Sequence, residues 1–402
     1  MTKALIIGGG IAGPVAAMAL QRAGIDSTVY EGRTPEESGG GAFLTVAVNG
    51  LDALQAIDAH ATVLESGFTS RTIELRSGNG KLLGEVPLGG VLPDGTATRT
   101  IRRADLYRSL LSLAWDRGVP IEYGKRLRSA AIKPNGGVVA RFEDGTETQG
   151  DLLIGADGIF SRTRRIIDPS APSPRYTGLG NVGGFAPAGT VTGEPGKYVM
   201  TFGHRAFFGY VLSPAGEVWW FANPPSRAEL TRAELAGLGV ELWKRQLKDL
   251  FANDAGPAVA IIDATTEWSL GTNQHDMPRV ANWSRDSMIV VGDAAHAATP
   301  SSGQGASLAM EDAVVLARCL RDMPDTRSAF ATFQQLRRPR VERIVAWAAR
   351  MNSNKAPGRM GRAVRDLVLP LFLKLQASGD AQRWIFEHHI DWDAPVPLGR
   401  AA

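Results

Sequence analysis

The sequence predicts an α/β fold in which a parallel sheet with helices is interrupted by an inserted antiparallel sheet and followed by further helices. Residues 3–33, KALIIGGGIAGPVAAMALQRAGIDSTVYEGR, have the pattern of strand, glycine turn, helix and second strand. Residues 176–280 contain aromatic and β-branched runs broken by proline and glycine, which is typical of an antiparallel sheet. After residue 305, ASLAMEDAVVLARCL has the pattern of a long helix.

The composition is that of an ordinary globular protein and excludes several classes of function. The chain has 402 residues, is 44% hydrophobic and has a formal net charge of +3. Its charges are scattered and form no basic patch for nucleic acid. The single cysteine, Cys319, excludes an internal disulfide and a C-x-x-C motif. Without a signal-peptide pattern or a membrane-length apolar run, we expect a cytoplasmic protein with no stable membrane insertion.

The first motif is a glycine turn with the spacing G-x-G-x-x-G, formed by Gly8, Gly10 and Gly13. It follows an apolar strand and opens a helix at Ile11 and Ala12, which is the context of a Rossmann-like dinucleotide site. Gly8 permits the sharp turn, Gly10 leaves room for a pyrophosphate, and Gly13 lets the helix pack closely on the strand. The free N–H groups of the helix N-terminus then favour the phosphates.

Glu31 ends the second strand, 18 positions after Gly13. Its carboxylate can accept hydrogen bonds from both ribose hydroxyls and would repel a 2′-phosphate, so we expect an ADP moiety without that phosphate. The segment GLGNVG, residues 178–183, has the same glycine spacing but lacks the strand before it and the helix after it. We therefore expect a loop at 178–183 and one dinucleotide-binding fold in the chain.

A second apolar strand, in GDLLIGADGIFSRTRRI, ends in the turn G-A-D-G that contains Asp157. The turn and the basic residues after it favour a second contact with phosphates or ribityl hydroxyls. The alternative is that the Asp157 carboxylate only makes a turn with its own backbone.

A third strand, in SMIVVGDAAH, ends at Gly292 and Asp293, where the carboxylate can accept a hydrogen bond from a ligand hydroxyl. Pro300 fixes the loop that follows, and Gly303 and Gly305 expose N–H groups at the start of the next helix. This helix end would stabilise negative charge, which an isoalloxazine ring acquires near its pyrimidine edge on reduction.

Together these motifs resemble the single-component FAD-dependent aromatic hydroxylases, a family that includes 4-hydroxybenzoate and salicylate hydroxylases and the tetracycline-inactivating monooxygenases. Three signatures match: the glycine fingerprint with Glu31 and Arg33, the G-A-D-G element with Arg162, and G-D-A-A-H followed by Pro300 and G-Q-G. Their order and separation fit the family over roughly the first 350 residues.

The resemblance implies a position on FAD for each matching residue. It places Glu31 and Arg33 at the adenosine ribose, the Leu127 backbone at adenine, and Arg103 and Asp293 near the ribityl chain and the phosphates. The full set implied to bind FAD is Gly8, Gly10, Ile11, Ala12, Gly13, Glu31, Arg33, Arg103, Leu127, Asp157, Gly292, Asp293, Pro300, Gly303, Gly305 and Ala306.

The resemblance also implies a monooxygenase that consumes NADPH or NADH and inserts one oxygen atom from O2 into an aromatic or polycyclic substrate through a flavin C(4a)-hydroperoxide. No protein nucleophile is needed, so no catalytic side chain is assigned. His296 is expected to be structural, and no histidine has metal-ligand spacing. Two alternatives stay open: an FAD-dependent reductase of unsaturated substrates, and a flavoprotein that shelters a biosynthetic intermediate without turnover.

The predicted FAD-binding domain comprises residues 1–175 and 281–350, with a substrate domain at 176–280 and a helical segment at 351–402. Part of that last segment, NKAPGRMGRAVRDLVLPLFLKLQ, is expected to cap the pocket or to bind a partner. The candidate substrate-binding residues are aromatic residues of the predicted sheet, and their alternative role is core packing. They are Phe202, Phe208, Tyr210, Trp220 and Phe221.

Overall fold

The structure is a computed structural model that describes residues 2–35, 41–134, 136–353, 369–370 and 380–397. The segment predicted to cap the pocket or to bind a partner therefore lies, apart from residues 369–370, outside the described residues. In the described ranges, no helix is long and apolar enough to cross a membrane.

The described strands are β1 (Lys3–Ile7), β2 (Asp26–Tyr30), β3 (Phe43–Val46), β4 (Phe68–Thr69), β5 (Thr72–Ser77), β6 (Leu82–Pro87), β7 (Arg99–Arg102), β8 (Ile121–Glu122), β9 (Leu127–Ile132), β10 (Val138–Phe142), β11 (Glu147–Gly150), β12 (Leu152–Gly155), β13 (Arg175–Ala186), β14 (Tyr198–Phe202), β15 (Phe207–Leu212), β16 (Val218–Asn223), β17 (Glu267–Asp276), β18 (Ser284–Arg285) and β19 (Met288–Val290). The described helices are α1 (Ala12–Arg22), α2 (Val48–Gln55), α3 (Ala61–Ser66), α4 (Arg103–Asp116), α5 (Arg162–Ile167), α6 (Arg232–Gly237), α7 (Gly239–Phe251), α8 (Ala258–Ala264), α9 (Asp293–His296), α10 (Gly305–Asp322), α11 (Thr326–Ser353) and α12 (Asp380–Phe386).

The first large sheet has the strand order β18-β19-β12-β1-β2-β8, and its strands run parallel from β19 to β8. Strands β1, β12 and β19 are short apolar runs that are almost wholly buried. Such runs are typical of a parallel sheet covered on both faces. Helix α1 packs on β1 and β2 and against α10. The predicted α/β fold with a Rossmann-like sheet is confirmed.

The second large sheet has the order β17-β13-β16-β15-β14-β5-β6 and is antiparallel apart from the β14–β5 pair. Five of its strands come from the range predicted to form an antiparallel sheet, and β5 and β6 come from residues 72–87. Trp243, Leu247 and Ile262, from α7 and α8, pack on one face of this sheet. The division of the chain into four functional segments stays a prediction.

The expectation of a loop at residues 178–183 is wrong. These residues belong to β13, which pairs with β16 on one side and with β17 on the other. The register with β17 shifts between Tyr176 and Gly180 and again between Asn181 and Gly183, and Gly178 has a φ of +79°. The glycines therefore accommodate bulges in a central strand. No helix follows, so this segment is not a second dinucleotide motif.

Residues 380–397 form a C-terminal strap that lies across the helices and is attached to them through its main chain. The carboxylate of Asp52 in α2 accepts a hydrogen bond from the backbone N–H of Ile390 at 2.8 Å. Guanidinium groups of α10 and α11 donate to backbone carbonyls of the strap. These bonds are Arg318 to Ala394 (2.7 Å), Arg321 to Trp392 (2.6 Å), and Arg340 to Trp384 and Ile385 (2.7 Å each).

Candidate active site

A large cavity lies where the loops that follow β1, β2, β12 and β19 meet the seven-stranded sheet. These four strands are consecutive and parallel in the first sheet, so their carboxyl ends lie at one edge and bring the loops together. The cavity has a volume of about 1410 Å³. Single-ligand pockets usually have about 300–1,000 Å³, so this one has room for a large ligand and a second, smaller one.

We call the part of the cavity formed by these loops, by residues 125–127 and by the first turns of α1, α4 and α10 the loop half. It includes most residues predicted to bind a flavin nucleotide. Those that line it are Gly8, Gly10, Ile11, Ala12, Glu31, Arg33, Arg103, Leu127, Asp157, Asp293, Pro300, Gly303, Gly305 and Ala306.

Three glycines shape the turn between β1 and α1. Gly8 has a φ of +109°, and a Cβ placed there would lie 2.4 Å from the Ala156 carbonyl oxygen. A Cβ on Gly13 would lie 1.9 Å from the carbonyl oxygen of Gly8, so Gly13 serves the close packing of helix on strand and does not itself line the cavity. A Cβ on Gly10 would meet no atom within 4 Å and would extend into open space.

Two of the helices that begin at the cavity, α1 and α10, have N-termini without a side-chain cap. Helix α1 has Ile11 at its N-cap and α10 has Gln304, and neither side chain bonds to the free backbone N–H groups. The first turns of both helices lack acidic residues. These N–H groups and the positive ends of the two helix dipoles therefore remain available to a negatively charged ligand.

The Glu31 carboxylate is fixed at the edge of the loop half by two backbone N–H groups. Gly9 donates to one oxygen at 2.5 Å and Arg33 donates to the other at 2.8 Å. A Cβ on Gly9 would lie 3.0 Å from Glu31 side-chain atoms, so a larger residue there would shift this carboxylate by a few tenths of an ångström. Each oxygen keeps a second acceptor position, because a carboxylate has about four acceptor sites.

The Asp157 carboxylate is occupied mainly by the residues that follow it. It accepts hydrogen bonds from the Ser161 hydroxyl (2.5 Å), the Arg162 N–H (2.8 Å), and the Thr163 N–H and hydroxyl (2.9 and 3.0 Å). The alternative considered for Asp157 was that its carboxylate only makes a turn with its own backbone, and these contacts are of that kind. Asp157 nevertheless lines the cavity, and its contact with phosphates stays a prediction.

Asp293 begins α9, with its carboxylate open to the cavity and protein on its other sides. The Asp293 side chain is exposed to the cavity, but the surrounding protein removes part of its hydration and so raises the pKa of its carboxyl, and the positive charge of Arg103 opposes the rise. Arg103 lines the same part of the cavity and donates from Nε to the Tyr107 hydroxyl at 2.8 Å. The site thus places a cation and an acidic group together next to the N-terminus of α10.

Asp312 holds the loop around Asp293 from behind. It accepts hydrogen bonds from the Gly292 backbone N–H at 2.9 Å and from Arg337 Nε at 2.7 Å, and it contacts His296 Nε2 at 2.5 Å. Burial alone would raise the pKa of Asp312, but His296 and Arg337 outweigh it and lower that pKa far below its usual range. Gly292 and His296 therefore position the loop without lining the cavity, and the structure gives His296 the structural surroundings that were expected.

Glu311, the neighbour of Asp312 in α10, completes this buried ion cluster. It accepts from Arg337 at 2.5 Å, from Arg340 at 2.8 Å and from the Asn49 amide at 2.6 Å. Against the effect of burial, the two arginines lower the pKa of Glu311 to about 2. Asn49 also donates to Gln304, between Gly303 and Gly305. The glycine loop at the start of α10 is thus supported by charges that do not line the cavity.

The opposite side of the cavity is one face of the seven-stranded sheet, which we call the sheet wall. Along β14, every second residue faces the cavity, as the strand geometry requires. The residues of the sheet wall are Ile73, Leu75, Val86, Pro87, Asn181, Gly183, Tyr198, Met200, Phe202, Phe207, Phe221, Asn223, Ser269 and Thr272.

Two of the five aromatic residues predicted for the substrate pocket, Phe202 and Phe221, belong to the sheet wall. The expectation that Phe208, Tyr210 and Trp220 line the pocket is wrong. Strand alternation turns them to the opposite face, where they pack with the residues of α7 and α8. Their environment is that of core packing, the alternative role considered for them.

The sequence reasoning missed several residues that line the cavity. Tyr198, Met200 and Phe207 would have followed from Phe202 if the orientation of the sheet had been known. Phe43, on β3, lies in the segment 32–50, whose apolar strand was expected beside the flavin ring, but it was not itself assigned. The helical residues at the far end had no local signal. These are Trp347, Arg350, Leu369, Gln382, Trp384 and Phe386.

Comparisons with known proteins agree with this geometry. A family model described as FAD binding domain matches residues 1–348. The aurachin C monooxygenase/isomerase of Stigmatella aurantiaca is 30% identical over 359 residues, which are 86% of this chain and 88% of that protein. The FAD-dependent urate hydroxylase of Klebsiella pneumoniae is 29% identical over 346 residues, covering 85% of this chain and 88% of the relative. The structure of Klebsiella pneumoniae HpxO complexed with FAD and uric acid has a TM-score of 0.83 and 26% identity, over 96% of this chain and 97% of the other.

The loop half fits an FAD molecule on its own features. Gly10 leaves open space where main chain must approach a pyrophosphate, two uncapped helix N-termini face the cavity, and a fixed carboxylate stands at the end of β2. The family model covers these residues together with the return of the chain to the parallel sheet. The chain therefore belongs to the FAD-binding flavin monooxygenase family.

Proposed function

We propose that the protein hydroxylates an aromatic or polycyclic small molecule, using FAD, O2 and either NADPH or NADH. The observation that supports this most is the single cavity in which the loop half faces an aromatic sheet wall. Relatives named as a urate hydroxylase and as an aurachin C monooxygenase/isomerase act on ring compounds, which supports a ring substrate for this chain.

The loop half has the task of binding and orienting FAD. We assign the pyrophosphate to the N-terminus of α1 beside Gly10, and the adenosine ribose to Glu31 and Arg33. Leu127 is 4% exposed at the start of β9 and lies near that end, where its backbone is assigned to the adenine. These roles use donors and acceptors that the fold holds in place before the cofactor binds.

The N-terminus of α10 has an electrostatic task. Its free N–H groups next to Gly303 and Gly305 would stabilise negative charge on the flavin ring, and Arg103 adds a positive charge nearby. Asp293 is assigned to the hydroxyls of the ribityl chain. When bound, FAD supplies the activation of O2 by electrons from the nicotinamide, and the protein supplies position and electrostatics.

The sheet wall has the task of placing the substrate ring against the flavin and excluding water. Phe202, Phe207, Met200 and Phe221 give it an apolar surface that water does not solvate well. Exclusion of water from this side of the cavity prevents side reactions of reactive intermediates.

The decisive experiment measures oxygen transfer. FAD-loaded protein is mixed with a panel of aromatic and polycyclic compounds, and the reduction of the flavin by NADPH and by NADH is followed anaerobically by stopped flow. Compounds that accelerate reduction are then turned over under ¹⁸O2, with protein lacking FAD as the control. We expect one labelled oxygen atom per product molecule. Turnover without label would instead indicate the reductase, and FAD binding without any substrate-stimulated oxidation would indicate the sheltering flavoprotein.

A further inference from the structure

The charge around the cavity is distributed unevenly. The charged residues among its described lining are Glu31, Arg33, Arg103, Lys125, Arg126, Asp157, Arg162, Asp293 and Arg350. All of them except Arg350 belong to the loop half, where a flavin nucleotide needs ionic and polar partners. Arg350 lies in the last turn of α11 and is exposed.

The described residues of the sheet wall include no charged side chain. The sheet does contain charged residues, but they lie elsewhere and pair with one another. Examples of such pairs are Arg76 with Glu74 at 2.5 Å and Arg175 with Asp276 at 2.7 Å. Tyr198 also stays neutral, because burial raises the pKa of its phenol.

The sheet wall is polar along one edge and apolar along the other. Asn181, Asn223, Ser269 and Thr272 lie on β13, β16 and β17, which are neighbours at one end of the strand order. The amide of Asn223 is oriented by its bonds to the Asn181 side chain (3.2 Å) and to the Gly180 carbonyl (3.3 Å). The strands at the other end of the order present apolar residues. These are Ile73, Leu75, Val86, Pro87, Tyr198, Met200, Phe202 and Phe207.

This distribution of charge decides which ligands the wall accepts. A carboxylate held against the described residues of the sheet wall would lose its water without gaining a cation from them, and burial of an unpaired charge is strongly unfavourable. A neutral carbonyl or N–H group loses much less on transfer and can bond to amides and hydroxyls along the polar edge. An alkyl or additional ring portion would gain by contact with the apolar strands.

We propose that the substrate is an uncharged ring compound whose heteroatom edge faces the Asn181–Asn223 side of the sheet wall and whose apolar extension lies along β14, β15 and β5. This inference rests on the proposed function and goes beyond it, because the family relation leaves the charge of the substrate open. The matching product is a hydroxylated neutral ring.

The test uses two probes that share rings and chain but differ in charge: 2-heptyl-4(1H)-quinolone, which is neutral, and 2-heptylquinoline-4-carboxylate, which is an anion. Their dissociation constants for the FAD-loaded protein are measured by the change in flavin fluorescence, and their stimulation of NADPH and NADH oxidation is recorded. We expect the neutral probe to bind at least about tenfold more tightly than the anion.

A pair of variants tests whether the sheet wall causes the preference for the neutral probe over the anion. Met200→Arg places a cation among the apolar strands and is expected to reduce the preference for the neutral probe at least about tenfold. Met200→Leu changes the shape by a similar amount without adding charge and is expected to keep the preference. Retention of FAD and the thermal unfolding midpoint show that each variant is folded.

Two results would overturn the inference while leaving the proposed function intact. One is that the carboxylate binds as tightly as the neutral probe, in which case Arg350→Gln shows whether that arginine is the counter-ion. The other is that FAD binds but neither probe does, because the wall would then not recognise such rings. Failure to bind FAD, or the absence of stimulated oxidation with every compound of the larger panel, would instead count against the proposed function.

Discussion

The loop half and the sheet wall face each other across one cavity but are built from different parts of the chain. In the loop half, the main chain of several glycines forms part of the cavity surface, and the side chains of Asp312 and Arg337 support the loop from behind. In the sheet wall, the main chain is bonded within the sheet, and aromatic and aliphatic side chains form the surface. Substitutions should therefore act through backbone geometry and buried charge in the first region, and through side-chain shape and orientation in the second.

The largest expected effect comes from adding one methyl group to the loop half. In Gly13→Ala the new Cβ would lie 1.9 Å from the Gly8 carbonyl oxygen, so helix and strand must separate. We expect the free energy of unfolding to fall by at least about 4 kcal/mol, with loss of FAD. The matched variant Gly10→Ala adds its methyl group to open space, so it should change the unfolding free energy by less than about 1 kcal/mol while weakening FAD binding. Denaturant unfolding and FAD titration measure both quantities, and equal destabilisation by the two variants would contradict the assignment.

The next effect tests the charges behind the loop. Arg337→Met leaves Glu311 and Asp312 buried without their shared cation, and we expect a loss of about 3–5 kcal/mol of unfolding free energy. The control is Arg279→Met, which breaks an exposed ion pair with Glu342 and should cost less than about 1 kcal/mol. Similar losses in the two variants, measured by denaturant unfolding, would show that the cluster contributes no more than a surface pair.

Neighbouring residues of β16 separate the two faces of the sheet. Trp220 is fully buried below the sheet and bonded to Thr265 at 2.9 Å, so Trp220→Ala should cost about 3 kcal/mol or more. Phe221 faces the cavity, and Phe221→Ala should cost less stability but change the affinity for substrate more. Thermal unfolding and flavin-fluorescence titration test both statements. If Phe221→Ala cost more stability and Trp220→Ala changed the substrate affinity more, the assignment of Phe221 to the cavity face and Trp220 to the core face would be wrong.

Acidification should lower the free energy of unfolding, because it protonates Glu311 behind the loop half. Its pKa of about 2 in the folded protein is below the ordinary value of 4.5, so its stabilising contribution is present above pH 4.5 and is lost as the pH falls toward 2. For this group alone we expect a loss on the order of 2 kcal/mol between about pH 5 and about pH 3. Glu311→Gln should flatten that part of the profile of unfolding free energy against pH, and an unchanged slope would refute the assignment.

The smallest expected effect refines the shape of the sheet wall. A Cβ on Gly209 would lie 2.6 Å from the Phe221 ring, so Gly209→Ala should move the ring toward the cavity. We expect less than about 1.5 kcal/mol of destabilisation, FAD affinity within about twofold of the original, and a higher KM for bulky substrates. Gly90→Ala, where no atom lies within 4 Å of the added Cβ, is the control for KM. An unchanged KM in both variants would show that Phe221 does not limit the cavity.

These contrasts also explain which parts of the molecule followed from the sequence. The strand, glycine turn and helix at Gly8–Gly13 were predictable because the backbone there tolerates only glycine at two positions and so fixes the residue type. The convergence of the later loops was predictable because each follows a short apolar strand. The sequence also indicated a structural role for two polar residues. For Asp157 this was a turn with its own backbone, and for His296 it was a structural part of the G-D-A-A-H motif.

The orientation of the sheet wall was not predictable from local sequence. Strand β15 is buried on both faces, so hydrophobicity shows no alternation that would separate Phe207 from Phe208. The bulges in β13 place glycines in a central strand, and because such glycines are typical of loops, the sequence predicted a loop there. The cluster around Arg337 joins α2, α10 and α11 and has no signal in any one segment, because its partners meet only in the folded chain.

The C-terminal strap has a consequence for how this enzyme can diversify. Its anchoring arginines bond to carbonyl oxygens, which every amino acid possesses, while its Gln382, Trp384 and Phe386 side chains line the cavity. These main-chain bonds do not depend on the side chains of the strap, whereas Phe386, Ile390 and Trp392 add a second attachment by packing into the hydrophobic core. Gln382 lines the cavity but lies outside that core, so its exchange can alter the far end of the binding chamber while the strap stays attached. This position is therefore a natural starting point for altering which molecules the enzyme accepts.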